Sequence, residues 1–261
     1  MRFWQQCMAT NTVQKKPILV IRPLRQGDTF LQLLEDARLQ FCHIPVMQIQ
    51  PVDKDDLVYA DILDVISKLD RWDQAIFISA NAAEIGLPLI AQHWPVLPSG
   101  LQFYAVGQQT AELFAEYGYP VRCPKKQPNT EGLLEEIQPL KHLKGQSVVI
   151  FRGGEGRQTL GEELTARGGA VRYCELYRRI IDPLKVEEAR AGVETASCLV
   201  AHSGELLRAL GDCVDRHIPV VVPSARIAGQ AQQLGYNNIE VADNALPQSM
   251  LRAVTRLQPV P

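Results

Sequence analysis

No apolar run in this 261-residue chain approaches the roughly 20 residues that a membrane-spanning helix requires. The opening MRFWQQCMATNTVQKK has no apolar stretch able to serve as a secretory signal, so a cytoplasmic location is expected. Those residues, 1–16, are polar and without period, and they read as a disordered leader. The six cysteines, Cys7, Cys42, Cys123, Cys174, Cys198 and Cys213, are scattered, with no C-x-x-C pair. That pattern excludes a disulfide framework and a zinc site, and most of them are expected in the core. The five histidines, His43, His93, His142, His202 and His217, show no metal-ligand spacing. There is no H-E-x-x-H, no G-x-S-x-G elbow and no Walker loop. A formal charge of -2 argues against a generally basic nucleic-acid binder, so any anionic ligand has to be met by a local cluster.

What the chain does have is a repeat. The stretch 17–50 (PILVIRPLRQGDTFLQLLEDARLQFCHIPVMQIQ) lies over 147–180 (SVVIFRGGEGRQTLGEELTARGGAVRYCELYRRI) without a gap, and Arg22 falls on Arg152. A second repeat places AIFISAN, ending at Asn81, over SCLVAHS, ending at Ser203. The AVGQQTAELFAEYGYPV that ends at Val121 falls on the VPSARIAGQAQQLGYNNI that ends at Ile239. A chain that writes two units and then writes them again implies two similar lobes with a cleft between them. At 46% hydrophobic composition, two modest cores are within reach.

Strands are expected near 17–22, 41–48, 73–79, 101–106, 119–123, 147–152, 170–179, 197–201, 218–222 and 238–241, with helices between most of them. The helix from Thr29 to about Leu39 carries a one-sided stripe of Phe30, Leu33, Leu34 and Ala37, and its partner from Gln158 to Arg167 carries Leu160 and Leu164. Near-continuous apolar strands such as ILVI, AIFI and VVIF read as parallel strands covered on both faces. The fold class is therefore α/β, two similar doubly wound parallel-sheet domains joined by a two-stranded hinge, with domain 1 discontinuous. The hinge strands are His43 to Gln50 and Cys174 to Ile181, each followed by a proline, Pro51 or Pro183. Domain 1 then comprises 17–49 plus 180–258, and domain 2 comprises 51–177.

Parallel sheets bind ligands beyond the carboxyl ends of their strands, where loops lead into helix N-termini. The loops at such positions hold Arg22, Ser79, Asn81, Gly107, Thr110, Arg152, Gly153, Arg157, Ser203 and Arg226. Each also has a plainer reading. Ser79, Asn81, Ser203 and Ser224 fit helix N-caps, Arg22 and Arg152 fit surface or salt-bridge arginines, and RGGEGR fits a turn. The last motif fails the dinucleotide fingerprint because Thr159 stands where the third glycine belongs, although Glu175 follows at about the distance of a ribose-binding acid. Tyr177 on the returning hinge strand is either core packing or, if it faces the cleft, a proton donor to a departing oxygen.

The order VIRP, FISANAAE, AVGQQTAELFAEYG with a following TEGLL, VVIFRGGEGRQTLGEEL and YCELYRR resembles the uroporphyrinogen-III synthase family from about Ile18 to Val254. There are two departures. Ile78 precedes Ser79 where the family often has threonine or serine, and PSARIAG replaces the glycine-threonine-alanine loop in the second lobe repeat. The resemblance implies an enzyme without metal or cofactor that acts on a linear tetrapyrrole carrying two carboxylate arms on every ring, and because the sequence suggests no exposed seam beyond the cleft, a monomer is expected. It implies closure of hydroxymethylbilane to a macrocycle with ring D inverted. The residues above would be carboxylate seats and Tyr177 the catalytic proton donor. A two-lobed binding module or sensor for an anionic small molecule is the alternative, and a nucleotide-dependent enzyme comes third.

Overall fold

The computed structural model describes residues 16–24, 28–154, 158–211 and 215–257. The expected leader therefore lies outside the described residues except for Lys16. Eleven strands occur among them, in chain order β1 (Ile18–Val20), β2 (Phe41–His43), β3 (Met47–Pro51), β4 (Gln74–Phe77), β5 (Gln102–Ala105) and β6 (Val121–Arg122), then β7 (Ser147–Gly153), β8 (Ala170–Ile181), β9 (Cys198–Val200), β10 (Val220–Val222) and β11 (Ile239–Val241). The helices are α1 (Thr29–Asp36), α2 (Leu57–Ser67), α3 (Ala80–His93), α4 (Gln108–Ala115) and α5 (Thr130–Glu136), followed by α6 (Thr159–Ala166), α7 (Pro183–Thr195), α8 (Gly204–Ala209), α9 (Ala225–Gln233) and α10 (Pro247–Leu257). The chain divides into two compact units. One holds the described residues up to Gln48 and from Ile180 onward, and the other runs Ile49–Arg179.

In the first unit five strands lie in the order β11-β10-β9-β1-β2, with every pair parallel. Strands β1, β9 and β10 are buried along their whole length, which is why their β-branched runs do not alternate with polar residues. Alternate side chains feed two faces. Leu19, Leu199 and Val220 pack with Val186, Leu207 and Ile227 of α7, α8 and α9. Ile18, Val20 and Val200 pack with Phe30 and Leu34 of α1 and Met250 and Val254 of α10.

In the second unit the order is β3-β8-β7-β4-β5-β6. One face collects Phe77, Phe103 and Phe151 with Ile62, Leu87 and Phe114 of α2, α3 and α4. The other collects Ile76, Tyr104 and Ile150 with Leu133 of α5 and Leu160 of α6. Leaving β3 aside, β8-β7-β4-β5-β6 follows the same pattern as β2-β1-β9-β10-β11, so the repeat read from the sequence recurs as strand order.

One expected strand is two. The run 41–48 breaks into β2 and β3, which belong to different sheets. Pro45 is the cause. It has no N–H to give to a ladder, and its fixed φ suits the tight turn closed by Val46 N–H donating to the Ile44 carbonyl at 2.9 Å. Pro51 is the last residue of β3 rather than the residue after it, and Pro183 opens α7 behind the N-cap Asp182. Strand β3 lies beside β8. Within the first unit Asp182 N–H donates to the Val46 carbonyl, and within the second Val52 N–H donates to the Leu176 carbonyl, both at 3.0 Å. No helix among the described residues is long and apolar enough to cross a membrane.

Candidate active site

Both sheets reverse their winding at one place, between β1 and β9 in the first unit and between β7 and β4 in the second. Loops leaving the carboxyl ends on either side of such a switch point diverge, and the gap they leave is where open α/β sheets take their ligands. Of the expected residues that are described, Arg22 and Ser203 follow β1 and β9, and Ser79, Asn81, Arg152 and Gly153 lie on or after β4 and β7, whereas Gly107, Thr110 and Arg226 lie one strand further out, after β5 and β10.

In the second unit, β4 delivers Ser79 as N-cap of α3. Its backbone is extended (φ -159°, ψ 156°), and its Oγ accepts from Ala82 N–H at 3.1 Å. Asn81 is the second residue of that helix rather than its cap. Strand β7 delivers Arg152 and Gly153, and β8 delivers Tyr177. The β7–β8 register runs evenly to Arg152 opposite Glu175 and then slips, setting Gly153 opposite Tyr177, so Leu176 is an extra residue in a β-bulge. Regular alternation would send Leu176 and Tyr177 to opposite faces, whereas both belong to the same aromatic cluster as Phe77 and Phe151. The bulge thus re-aims Tyr177, whose hydroxyl comes to 3.0 Å from Ser79 Oγ. The tyrosine is 1% exposed.

Gly153 makes this placement possible. A Cβ there would stand 2.4 Å from Tyr177 Cε2 and 2.6 Å from Cζ, closer than any real contact. Gly153→Ala is expected to lose about 1 to 3 kcal/mol of stability through overpacking and to displace the tyrosine ring, measured by urea denaturation together with turnover. An alanine variant matching wild type in both would contradict this reading of the bulge.

Arg152 does not stand at the surface. It is 1% exposed, its guanidinium carbon lies 4.8 Å from the Tyr173 ring centroid, and its Nε donates to the Gly153 carbonyl at 2.9 Å. The Tyr173 hydroxyl accepts from Gly161 N–H and donates to the Gln158 carbonyl, both at 3.1 Å, pinning the start of α6. Arg157, between these anchors, lies outside the described residues. Gly107 is the N-cap of α4 and carries no side chain to cap it, so the first amides of that helix lack the serine oxygen that α3 has. Thr110 is buried in the first turn of α4.

In the first unit, Arg22 lies two residues past the end of β1 and is paired with Asp28 at 3.2 Å, the carboxylate being also the N-cap of α1. Arg22 Nη1 stands 3.4 Å from His202 Nε2, and His43 Nε2–H donates to the Arg22 carbonyl at 2.9 Å. Asp28, His43 and His202 around this arginine were not singled out as site residues by the sequence, because they come from three places far apart in the chain, the residue before α1, the end of β2 and the loop after β9. Ser203 caps α8 and Ser224 caps α9 through Leu206 N–H and Ile227 N–H, the plainer of their two readings. Arg226 is exposed in the first turn of α9.

Burial holds the His43 pKa below its ordinary 6.5, and the nearby Arg22 charge adds to this, against opposing effects of the Arg22 carbonyl and Asp28. Below about pH 6.5 the unfolded chain therefore binds a proton that the folded chain resists, and stability falls as pH drops through that window. Between about pH 7 and about pH 5.5 the urea midpoint of wild type should fall further than that of His43→Gln. Equal falls would contradict the assignment. Burial likewise pushes the Cys174 and Cys198 thiols to about 12, which keeps both protonated and leaves them no role as nucleophiles. Among the described residues no group of three His, Cys, Asp or Glu side chains could hold a metal ion.

A family model described as "Uroporphyrinogen-III synthase HemD" matches residues 28–252. The chain belongs to the uroporphyrinogen-III synthase family. Among curated relatives, the uroporphyrinogen-III synthase of Escherichia coli is 30% identical over 251 residues, covering 91% of this chain and 99% of that protein. That of Salmonella typhimurium is 31% identical over 251 residues with the same two coverages. Among solved structures, a mutant uroporphyrinogen III synthase from Thermus thermophilus matches with a TM-score of 0.63 at 16% identity, covering 92% of this chain and 98% of that one. The uroporphyrinogen-III synthetase of Helicobacter pylori matches at 0.60 with 14% identity, covering 93% and 100%. At those identities the shared property is the two-domain α/β fold. Residues 28–252 include every described site residue except Arg22, which precedes the matched stretch.

Proposed function

We propose that this chain closes hydroxymethylbilane to uroporphyrinogen III, inverting ring D and releasing water, as a step of tetrapyrrole biosynthesis. The reaction makes the enzyme a cyclising lyase. Loss of the terminal hydroxyl leaves a cation that the substrate's own pyrrole nitrogen stabilises, so the chemistry calls for no enzyme nucleophile, cofactor or metal. The task is steric: the flexible polyanion must be held so that the ring D carbon already bearing a side chain attacks first, giving a spiro intermediate. Holding reacting atoms in that geometry contributes roughly 7 to 11 kcal/mol.

The observation that carries the reading is the Tyr177 hydroxyl, brought by a bulge to the switch point of the second unit and held against Gly153. There it donates a proton to the departing hydroxyl. The uncapped amides beyond Gly107 seat a carboxylate at the positive end of the α4 dipole. The buried Arg152 guanidinium supplies positive potential from beneath the same edge. Arg22, Asn81, Thr110, Arg157, Ser203 and Arg226 complete the set of carboxylate seats, spread over two domains, 17–49 plus 180–258 and 51–177. In this proposal 43–50 and 174–181 are the two connections between the domains, and exclusion of water from the bound substrate protects the cation. A cytoplasmic location and a monomeric state belong to the same proposal.

Purified protein should consume freshly made hydroxymethylbilane faster than the enzyme-free solution. A binding module would leave that rate unchanged or slow it, and either result would overturn the reading.

A further inference from the structure

We propose that Ser79 is a positioning residue for Tyr177, coupling its hydroxyl to the N-terminus of α3 and leaving its proton free for the substrate. The proposal rests on Tyr177 being the proton donor and adds to it a direction for the donor's hydrogen bond.

A serine hydroxyl has one proton and two lone pairs. At Ser79 one lone pair is taken by Ala82 N–H at 3.1 Å, the capping bond of the 14-residue helix α3. The Tyr177 hydroxyl stands 3.0 Å from the same oxygen, where either atom can be the donor. If tyrosine donates, its proton is held by serine and is lost to chemistry. If serine donates, the tyrosine proton points elsewhere. The bond from the helix amide draws electron density from Ser79 Oγ at the positive end of the helix dipole, and a polarised hydroxyl is the better donor. The cap therefore biases the pair toward serine giving and tyrosine receiving, against the greater intrinsic acidity of the phenol, and the direction is what the Ser79→Asp variant below reads.

That direction suits the proton transfer. Tyr177 gives its proton to the substrate hydroxyl, the carbon–oxygen bond breaks, and water leaves. The phenolate left behind accepts the Ser79 O–H bond, now charge-assisted. When the pyrrole carbon that forms the closing bond loses its proton, that proton restores the phenol, so the cycle needs no other reactant.

The tyrosine cannot turn to find another partner. Its ring is 1% exposed and lies on Gly153, and its carbonyl accepts from Gly154 N–H at 2.7 Å. The repeat supplies a contrast within the chain. Ser203, which falls on Asn81 in the sequence repeat but caps the helix after β9 as Ser79 caps the helix after β4, has the same extended backbone (φ -151°, ψ 154°) and caps α8 through Leu206 N–H. The counterpart of Tyr177 in the ungapped overlay is Met47, which has no hydroxyl. The paired hydroxyls are thus particular to the second unit, beyond what helix capping alone requires.

The test compares Ser79→Ala, Ser79→Asp and Ser79→Thr with Tyr177→Phe, reading kcat, KM and Tm on the full chain. Ser79→Ala should lower kcat roughly ten- to hundred-fold, the effect of one charge-assisted hydrogen bond, with KM near wild type. Ser79→Asp keeps the cap and the Tm, but its carboxylate only accepts and so holds the tyrosine proton. It should lose kcat as Ser79→Ala does, while Ser79→Thr restores it. In the Tyr177→Phe background Ser79→Ala should cost no further kcat. Wild-type turnover in Ser79→Asp, or a Ser79→Ala loss confined to Tm, overturns the coupling while leaving Tyr177 as donor. Full activity in Tyr177→Phe overturns the donor role itself.

Discussion

Tyr177→Phe is expected to retain the fold and lose roughly 10² to 10⁴-fold in turnover, the range that a positioned general acid supplies. The substitution removes one oxygen and leaves the ring where Gly153 and the Phe77 cluster hold it, so the structural cost is one neutral hydrogen bond to Ser79, about 1 kcal/mol. Thr110→Ala, by comparison, removes a single hydroxyl from what is proposed to be one of many carboxylate seats, and should lose less. Arg152→Ala is also expected to lose less in chemistry than Tyr177→Phe. Its measured activity has to be read beside its melting curve, because Arg152 is 1% exposed and packed over Tyr173, and its removal empties part of the interior. Equal turnover losses in the three variants at matched folded fraction would count against a special role for the tyrosine.

Phe77→Ala should give the largest stability loss, about 3 to 5 kcal/mol. Phe77 is fully buried on β4, stacked on Phe151 at 4.5 Å between centroids and set edge-on to Phe114 at 5.2 Å, with Phe103 at 6.2 Å. Truncation removes the transfer free energy of the ring and three aromatic pairings, and it opens a void that neighbours on two strands and a helix cannot close. At roughly 2 to 4 °C per kcal/mol for a body of this size, the melting temperature should fall by roughly 6 to 20 °C. Phe77 belongs to the same cluster as Tyr177, so the residual activity of folded Phe77→Ala should fall as well. A shift below about 2 °C would mean that the cluster does not hold the second unit together.

Most of the architecture was legible because it is written in short, nearly continuous apolar runs. ILV, AIF, VVIF and VVV can hardly be anything but strands buried on both faces, and the repeat that sets Arg22 over Arg152 carries the winding of one sheet onto the other. The capping serines were legible too, since a serine between an apolar run and a helical stripe has an obvious local partner. What escaped the sequence depends on partners distant in the chain. The break at Pro45 is a local signal, yet only the assignment of its two sides to different sheets gives it meaning. The bulge at Leu176 arises from the fit of β8 on β7, and no pattern within CELYRR marks it. Arg152 was read for its charge at a strand end, whereas Tyr173, two rows back on the neighbouring strand, draws its side chain inward. Asp28, His43 and His202 meet at Arg22 only because β1 lies between β2 and β9.

The most direct measurement is the isomer composition of the macrocycle formed when freshly prepared hydroxymethylbilane meets the purified chain. Free bilane closes by itself without inverting ring D and gives the type I product. With the chain present, the type III isomer should predominate, and its share should rise with protein concentration as enzymatic closure outruns the spontaneous one. A ratio of type III to type I identical to that of the enzyme-free control would contradict the account.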